Sequence, residues 1–328
     1  MKYEPLLKIE NLKVHFFTEY GTVRAVDNVS WELSAGETLG IVGESGCGKS
    51  VTALSILRLI SEPPGKIVEG KIWYQGKDLL TLPVSGIRKI RGNEISIVFQ
   101  DPVTSLNPSF TIGNQILEAL NLHQDLKGKK ARDKAIDLLR SVGIPSSEQR
   151  LKEYPHELSG GMNHRVMIAI ALACNPRILI ADEPTTALDV TIQAQIMDLF
   201  KNIRKQSNMA IILITHDLGL VSQLVEKVIV MYAGQIVESG YIQGIFRSPH
   251  HPYTKGLLRA IPRLTGQSGA TRRKLEEIPG VVPNLIDTLQ GCAFYERCQS
   301  RMALCKVEKP VLNQVGDYHL SRCWLNQS

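Results

Sequence analysis

Four short apolar runs dictate what this chain can fold into. Gly40-Ile41-Val42, Ile95-Ser96-Ile97-Val98-Phe99, Ile178-Leu179-Ile180-Ala181 and Ala210-Ile211-Ile212-Leu213-Ile214 are almost unbroken and rich in β-branched residues. A strand with one wet face alternates apolar and polar. A run of strand length without alternation belongs to a strand covered on both faces. Amphipathic stretches separate the four runs, so the pattern predicts an α/β domain with a largely parallel sheet.

One stretch breaks the alternation. From about residue 111 to 159 no strand run occurs, and residues 112–123 and 131–142 carry helical periodicity, with Gly143 placed to cap the second helix. This predicts a helical insertion at about 101–160. After Gly240 the composition shifts: Pro249, Pro252, Pro262, Pro279, Pro283 and Pro310 punctuate the chain, and residues 268–274 read as a linker. With 328 residues, roughly two domains are expected, divided as 1–245 and 246–328.

Hydrophobic residues make up 43% and charged residues 21%, enough apolar material for a sizeable core and too much for a disordered or fibrous chain. The longest apolar run, residues 166–174, is about half the length needed to cross a bilayer. The start, Met1-Lys2-Tyr3-Glu4-Pro5, lacks the apolar stretch of a signal peptide. A cytoplasmic chain with reduced cysteines is the expectation. The net charge of +6 lies wholly in residues 247–322, where 12 Lys and Arg face 6 Asp and Glu. A basic segment suits an acidic partner, although a solvated face is the commoner meaning.

The sharpest motif is Gly43-Glu44-Ser45-Gly46-Cys47-Gly48-Lys49-Ser50. It fits the phosphate-loop pattern and sits between the strand at 40–42 and a helix starting near Val51, the context the mechanism needs. Glycines let backbone N–H groups point at an anion, and the helix N-terminus adds positive potential. Lys49 is placed to reach β and γ phosphates and Ser50 to hold Mg²⁺. Cys47 in this loop is expected to have a stabilised thiolate, whereas Cys174, ending an apolar helix, reads as core. A second motif ends the run at 178–181 with Asp182-Glu183. Ligands bind at the carboxyl ends of strands in open α/β sheets. Asp182 is placed to bind Mg²⁺ through water and Glu183 to act as a general base. One acid pair alone is commonly a solvated strand end; the phosphate loop gives it weight.

Further motifs resemble those of ABC ATPases. Leu158-Ser159-Gly160-Gly161-Met162 resembles the family's signature, Ala187-Leu188-Asp189 its D-loop, Gln100 its Q-loop and His216 its switch histidine, all in the family's order. Tyr20 lies where the family places an aromatic on adenine. Alone, His216 and Tyr20 would be ordinary structural residues. The resemblance implies a P-loop NTPase core with a helical insertion subdomain and a small irregular C-terminal extension. It implies ATP and Mg²⁺, bound through Tyr20, the phosphate loop to Val51, Gln100, Asp182 and Asp189. It further implies that Ser159, Gly160 and Gly161 cap the γ-phosphate held by a facing subunit. One departure stands out: His164 occupies a position where peptide importers usually carry glutamine.

Phe99-Gln100-Asp101-Pro102, Tyr154-Pro155-His156-Glu157, His251-Pro252-Tyr253-Thr254 and Ile278-Pro279-Gly280 resemble dipeptide and oligopeptide importer ATPases, the first of their two types. That implies a second ATPase subunit (heterodimer or homodimer), two membrane permeases, an extracytoplasmic binding protein and a peripheral place on the cytoplasmic membrane face. Nickel and some sugar importers share the extension, and a soluble non-transport ABC ATPase is the other alternative. No arginine–aromatic array points to nucleic acid.

Cys292, Cys298, Cys305 and Cys323 complete the reading. Four thiols in a reducing compartment suggest metal before disulfides. Their spacing lacks the close pairs of zinc knuckles, so a [4Fe–4S] cluster is expected, with zinc or no metal as alternatives. Arg297, Arg301, Lys306 and Arg322 are expected to offset the cluster's negative charge.

Overall fold

The computed structural model describes residues 4–186, 188–261, 277–286 and 290–327. In chain order the strands are β1 (Leu7–Thr18), β2 (Gly21–Leu33), β3 (Thr38–Val42), β4 (Gly65–Tyr74), β5 (Lys77–Asp78), β6 (Ile95–Val98), β7 (Ile178–Asp182), β8 (Ala210–Thr215), β9 (Lys227–Tyr232), β10 (Gln235–Tyr241), β11 (Asn313–Gly316) and β12 (His319–Ser321). The four apolar runs are β3, β6, β7 and β8. Every residue of β3, β7 and β8 is buried, which is why they read as unbroken. The chain forms two compact units.

One unit comprises residues up to Leu6, Leu33–Thr38 and Asp78–Ile214. Its strands β6, β7 and β8 pair in parallel, with Ile95 opposite Ile178 and Ile178 opposite Ala210. The helical insertion is present. Helix Ile112–Gln124 starts at Thr111, whose hydroxyl accepts the Asn114 N–H at 3.2 Å, the side-chain cap expected of threonine. Helix Gly128–Ser141 follows and stops before Gly143, whose φ of 76° no other residue type adopts easily. Ile112, Ile116 and Leu120 on the first helix and Ala131, Ala135 and Leu139 on the second are buried at the helical spacing read in the sequence. Leu120 is fully buried, so Leu120→Ala costs about 2–5 kcal/mol.

The other unit comprises Leu7–Glu32, Leu39–Lys77 and Thr215 onward. It contains an antiparallel sheet that the sequence reading did not anticipate, ordered β2-β1-β4-β5. In β1, Leu7, Ile9, Leu12 and Val14 are buried while Glu10 and Asn11, adjacent and both outside the core, interrupt the alternation, and the β1–β4 register shifts between Glu10 and Val14. The second set of strands pairs β3 with β9 in parallel, β9 with β10 antiparallel, and β10 with β12 antiparallel. The C-terminal extension is mostly short turns, yet it contributes the β11–β12 hairpin to this sheet, with Glu238 opposite Ser321. The linker read at 268–274 lies outside the described residues. No described helix is long and apolar enough to cross a membrane.

Candidate functional site

The phosphate loop leaves β3 at Val42 and enters helix Lys49–Ile56. Gly43 has φ 154° and Gly48 φ 98°. A Cβ on Gly43 would run into the Met231 carbonyl, and one on Gly48 into the Ala25 carbonyl. Glycine is required at both by backbone angle and by space. At Gly46 the corresponding space is open. Lys49 is nearly buried, and its ammonium donates to the Gly43 carbonyl at 2.8 Å and the Glu44 carbonyl at 3.0 Å. The lysine thus folds over its own loop, while the N–H groups at Lys49, Ser50 and Val51 begin the helix and carry its positive end. Ser45 and Gly46 are exposed. These features fit a bound polyphosphate, which needs donors, a cation and room together. Cys47 departs from expectation. It is fully buried, and burial pushes its thiol above the ordinary range despite the opposing Lys49 charge. It packs as a small apolar residue.

The acid pair sits in the other unit. Asp182 ends β7 and is buried. The next residue, Glu183, has φ 47°, a left-handed backbone that a non-glycine residue adopts only under constraint. Its N–H donates to the Ile214 carbonyl at 2.9 Å, carrying the β7–β8 ladder one residue past the strand. Its side chain turns out to two donors: Gln100 Nε2 at 3.1 Å and the Thr186 hydroxyl at 2.9 Å, both to Oε2. Gln100 and Glu183, 83 residues apart, are therefore brought together as the motifs implied. Thr186 was missed; its place three residues after an acid was the available signal.

In the same unit, Ser159 caps helix Gly160–Leu172, its hydroxyl accepting the Met162 N–H at 3.3 Å. Gly160 faces open space, and a Cβ on Gly161 would meet Ile192 at 3.4 Å. The helix is buried through Val166, Met167, Ile168, Ala169 and Ala171. His164 is buried, with Nδ1 3.0 Å from the Gly160 carbonyl and Nε2 without a hydrogen-bond partner. Asp189 caps helix Val190–Gln206 by accepting the Ile192 N–H at 2.9 Å. Ala187 lies outside the described residues. In the unit of the phosphate loop, Tyr20 is 87% exposed in the turn between β1 and β2, and His216 directly follows β8.

The cysteine reading is corrected. Cys292, Cys298, Cys305 and Cys323 are all free. Burial first, and then the neighbouring Cys305, Cys323 and Cys298, push the Cys292 thiol up to about 11; burial also raises Cys298 and Cys323. Two of the four basic residues expected to offset cluster charge are committed elsewhere: Arg297 grips Glu44, and Arg322 donates to the Ile236 carbonyl at 2.8 Å. His319, between Cys305 and Cys323 in sequence, pairs with Glu238 at 2.8 Å. Among the described residues, which include all four cysteines, no group of three or more His, Cys, Asp or Glu could hold a metal ion. The [4Fe–4S] cluster and its zinc alternative are withdrawn.

Comparison with known proteins places these features. Residues 26–186 match the family model of the ABC transporter, and residues 237–305 match that of the oligopeptide/dipeptide transporter, C-terminal region. The chain is 49% identical over 318 residues to the dipeptide transport ATP-binding protein DppD of Escherichia coli, covering 97% of this chain and 96% of that protein. It is 52% identical over 323 residues to a putative peptide import ATP-binding protein of Brucella abortus, covering 98% and 96%. A dimeric, post-hydrolysis ATP-binding cassette bound to ADP and Pi superimposes with a TM-score of 0.65 at 28% identity, covering 72% of this chain and 98% of that one. The cassette cbiO1 of Clostridium perfringens gives 0.62 at 29% identity, covering 75% and 92%. The fold and the phosphate loop define the class, an ABC-type ATPase. The chain belongs to the ABC transporter family, in the branch that carries the oligopeptide/dipeptide transporter C-terminal region.

Proposed function

We propose that this chain is the ATP-binding and ATP-hydrolysing subunit of a membrane importer for dipeptides or oligopeptides. The observation that carries the hydrolytic role is Glu183, set in left-handed backbone at the end of a buried strand with Gln100 and Thr186 on its carboxylate. Lys49 and the loop amides from Gly43 to Val51 take the phosphates, and Tyr20 stacks on adenine. Ser50, Gln100 and Asp182 would hold Mg²⁺, which would supply charge neutralisation on the phosphates. Glu183 accepts a proton from water as its oxygen bonds to the γ-phosphorus and the bond to the β-phosphate oxygen breaks, leaving ADP and phosphate. His216 holds that water in line. Ser159, Gly160, Gly161 and Asp189 act toward the nucleotide of a facing cassette. The dimeric state of the matched cassette supports such pairing.

The partners follow from the same reading: a second ATPase subunit, two membrane permeases and, indirectly, an extracytoplasmic binding protein, with this chain peripheral on the cytoplasmic face. The names of the relatives support peptide as the cargo class. The test is uptake of a labelled dipeptide by cells lacking the native copy. Complementation by the wild-type chain but not by Glu183→Gln is expected. Uptake that does not depend on the chain overturns the peptide reading.

A further inference from the structure

Glu44, the second residue of the phosphate loop, is held twice from the C-terminal region. Arg297 reaches it across 253 residues of sequence with a two-pronged ion pair, Nη1 to Oε2 at 2.6 Å and Nη2 to Oε1 at 2.9 Å. The Glu44 N–H donates to the Tyr253 hydroxyl at 2.9 Å. Neither holder is loose. Tyr253 is fully buried and Arg297 is 7% exposed. The guanidinium also donates to the Pro279 carbonyl at 3.0 Å and the Ile278 carbonyl at 3.1 Å, and lies over Tyr232 and Phe294 at 5.7 and 5.9 Å. On its other side, Glu44 offers its carbonyl to the Lys49 ammonium at 3.0 Å. A continuous chain of polar contacts thus runs from Arg297 through Glu44 to the phosphate-binding lysine.

We propose that Arg297 and Tyr253 are positioning residues for nucleotide binding, fixing the phosphate loop through Glu44 so that the C-terminal region sets ATP affinity. The assignment rests on the ATP-binding reading above. The physical basis is pre-organisation. A loop already fixed in its anion-binding shape loses little freedom when phosphate arrives. A two-pronged arginine–carboxylate pair supplies direction as well as energy. Removing Arg297 frees the half-buried Glu44 to turn toward solvent and releases the loop. Both act through Glu44, so the effect falls on binding and not on the hydrolytic step.

The test uses the full chain, a fluorescent ADP analogue with Mg²⁺, and steady-state ATP hydrolysis. Arg297→Met is expected to weaken the analogue about tenfold and to raise KM for ATP by a similar factor, with kcat within about twofold. Arg297→Lys, which keeps the charge but not the fork, recovers part of the affinity. Glu44→Gln combined with Arg297→Met is no weaker than the worse single variant, because both break one link. Tyr253→Phe removes a single oxygen and decides the matter if Arg297→Met does not fold; about threefold weaker binding is expected. Unchanged affinity in Tyr253→Phe together with Arg297→Met, or a loss confined to kcat, overturns the proposal. Lys49→Ala separates the two readings: if it and the wild type bind the analogue equally, the phosphate-loop reading fails, whatever Arg297 does.

Discussion

The phosphate loop and the loop at Ser159–Gly161, proposed above to act toward a facing cassette's nucleotide, are built by opposite means. The phosphate loop is fixed from far away in sequence: Arg297 and Tyr253 hold Glu44, and the Cys47 carbonyl accepts the Gly234 N–H at 3.1 Å. At Ser159–Gly161 the side-chain hydrogen bonds among the described residues are local, from the Ser159 hydroxyl on its own helix and from His164 one turn on, while Gly161 packs close to Ile192. Gly160 there faces open space. A loop stapled by long-range contacts is ready for its ligand in one chain. A loop supported by a single turn of helix is what a site completed by a second chain would show. Substitutions in the two places should therefore separate affinity from turnover.

The largest effect belongs to the chemistry that both loops serve. Glu183→Gln should lower ATP turnover by about 10²–10⁴-fold, the range for removing a general base, while nucleotide stays bound and the ATP-bound pair accumulates. Gel filtration with ATP and a phosphate-release assay check both points. Full turnover would reject Glu183 as the base. Lys49→Ala comes next. It strips the ammonium from the phosphate loop and should weaken nucleotide binding by more than about tenfold. Ser159→Ala should do the reverse, cutting turnover by about fivefold through a loosened helix start worth about 1 kcal/mol, with single-chain nucleotide affinity intact. If Ser159→Ala weakened ADP binding as much as Lys49→Ala, the contrast between the loops would collapse.

Acid should also discriminate between them. His251 starts helix Pro252–Arg259, which carries Tyr253, and its Nδ1 lone pair accepts the Tyr253 N–H at 3.1 Å. Complete burial, with Arg322 and Lys255 adding, holds its pKa down to about 3, against 6.5 ordinarily. Between those values the unfolded chain binds a proton that the folded chain refuses. Stability therefore falls as pH drops below about 6.5, by at most about 1.4 kcal/mol per unit from this group, and it gains nothing from His251 above neutrality. Urea unfolding at pH 7, 6 and 5 reads the slope. His251→Asn keeps an acceptor without the titration and should flatten it; an unchanged slope would point away from His251.

How much of this was legible depended on how local each feature is. β3, β6, β7 and β8 were readable because burial on both faces leaves an unbroken apolar run. The phosphate loop and Asp182-Glu183 were readable because anion and metal chemistry demand fixed spacings. The β1–β4 sheet was not, because its alternation is interrupted at Glu10 and Asn11, beside a shift of register. Arg297 was misread for a different reason. Lying one residue before Cys298, it looked like a counter-charge for thiolates, and nothing local reveals a partner 253 residues away. Tyr253 stands within His251-Pro252-Tyr253-Thr254, but its hydrogen bond with Glu44 spans 209 residues and nothing local reveals it.

The smallest expected effect is at His164, and it tests whether the signature helix is supported only from within. Its Nδ1 faces the Gly160 carbonyl at 3.0 Å, so that nitrogen carries the hydrogen, and the buried Nε2 is then an acceptor without a partner. An unsatisfied buried acceptor costs on the order of 1 kcal/mol, and the i−4 contact returns part of that. Glutamine can reach the same carbonyl with a more flexible chain and can turn its remaining polar atom outward. His164→Gln should therefore shift unfolding stability by less than about 1 kcal/mol and leave ADP affinity at the phosphate loop unchanged. A change in ADP affinity would mean that the signature helix communicates with the phosphate loop within a single chain, and the division between a long-range staple and a locally held loop would have to be given up.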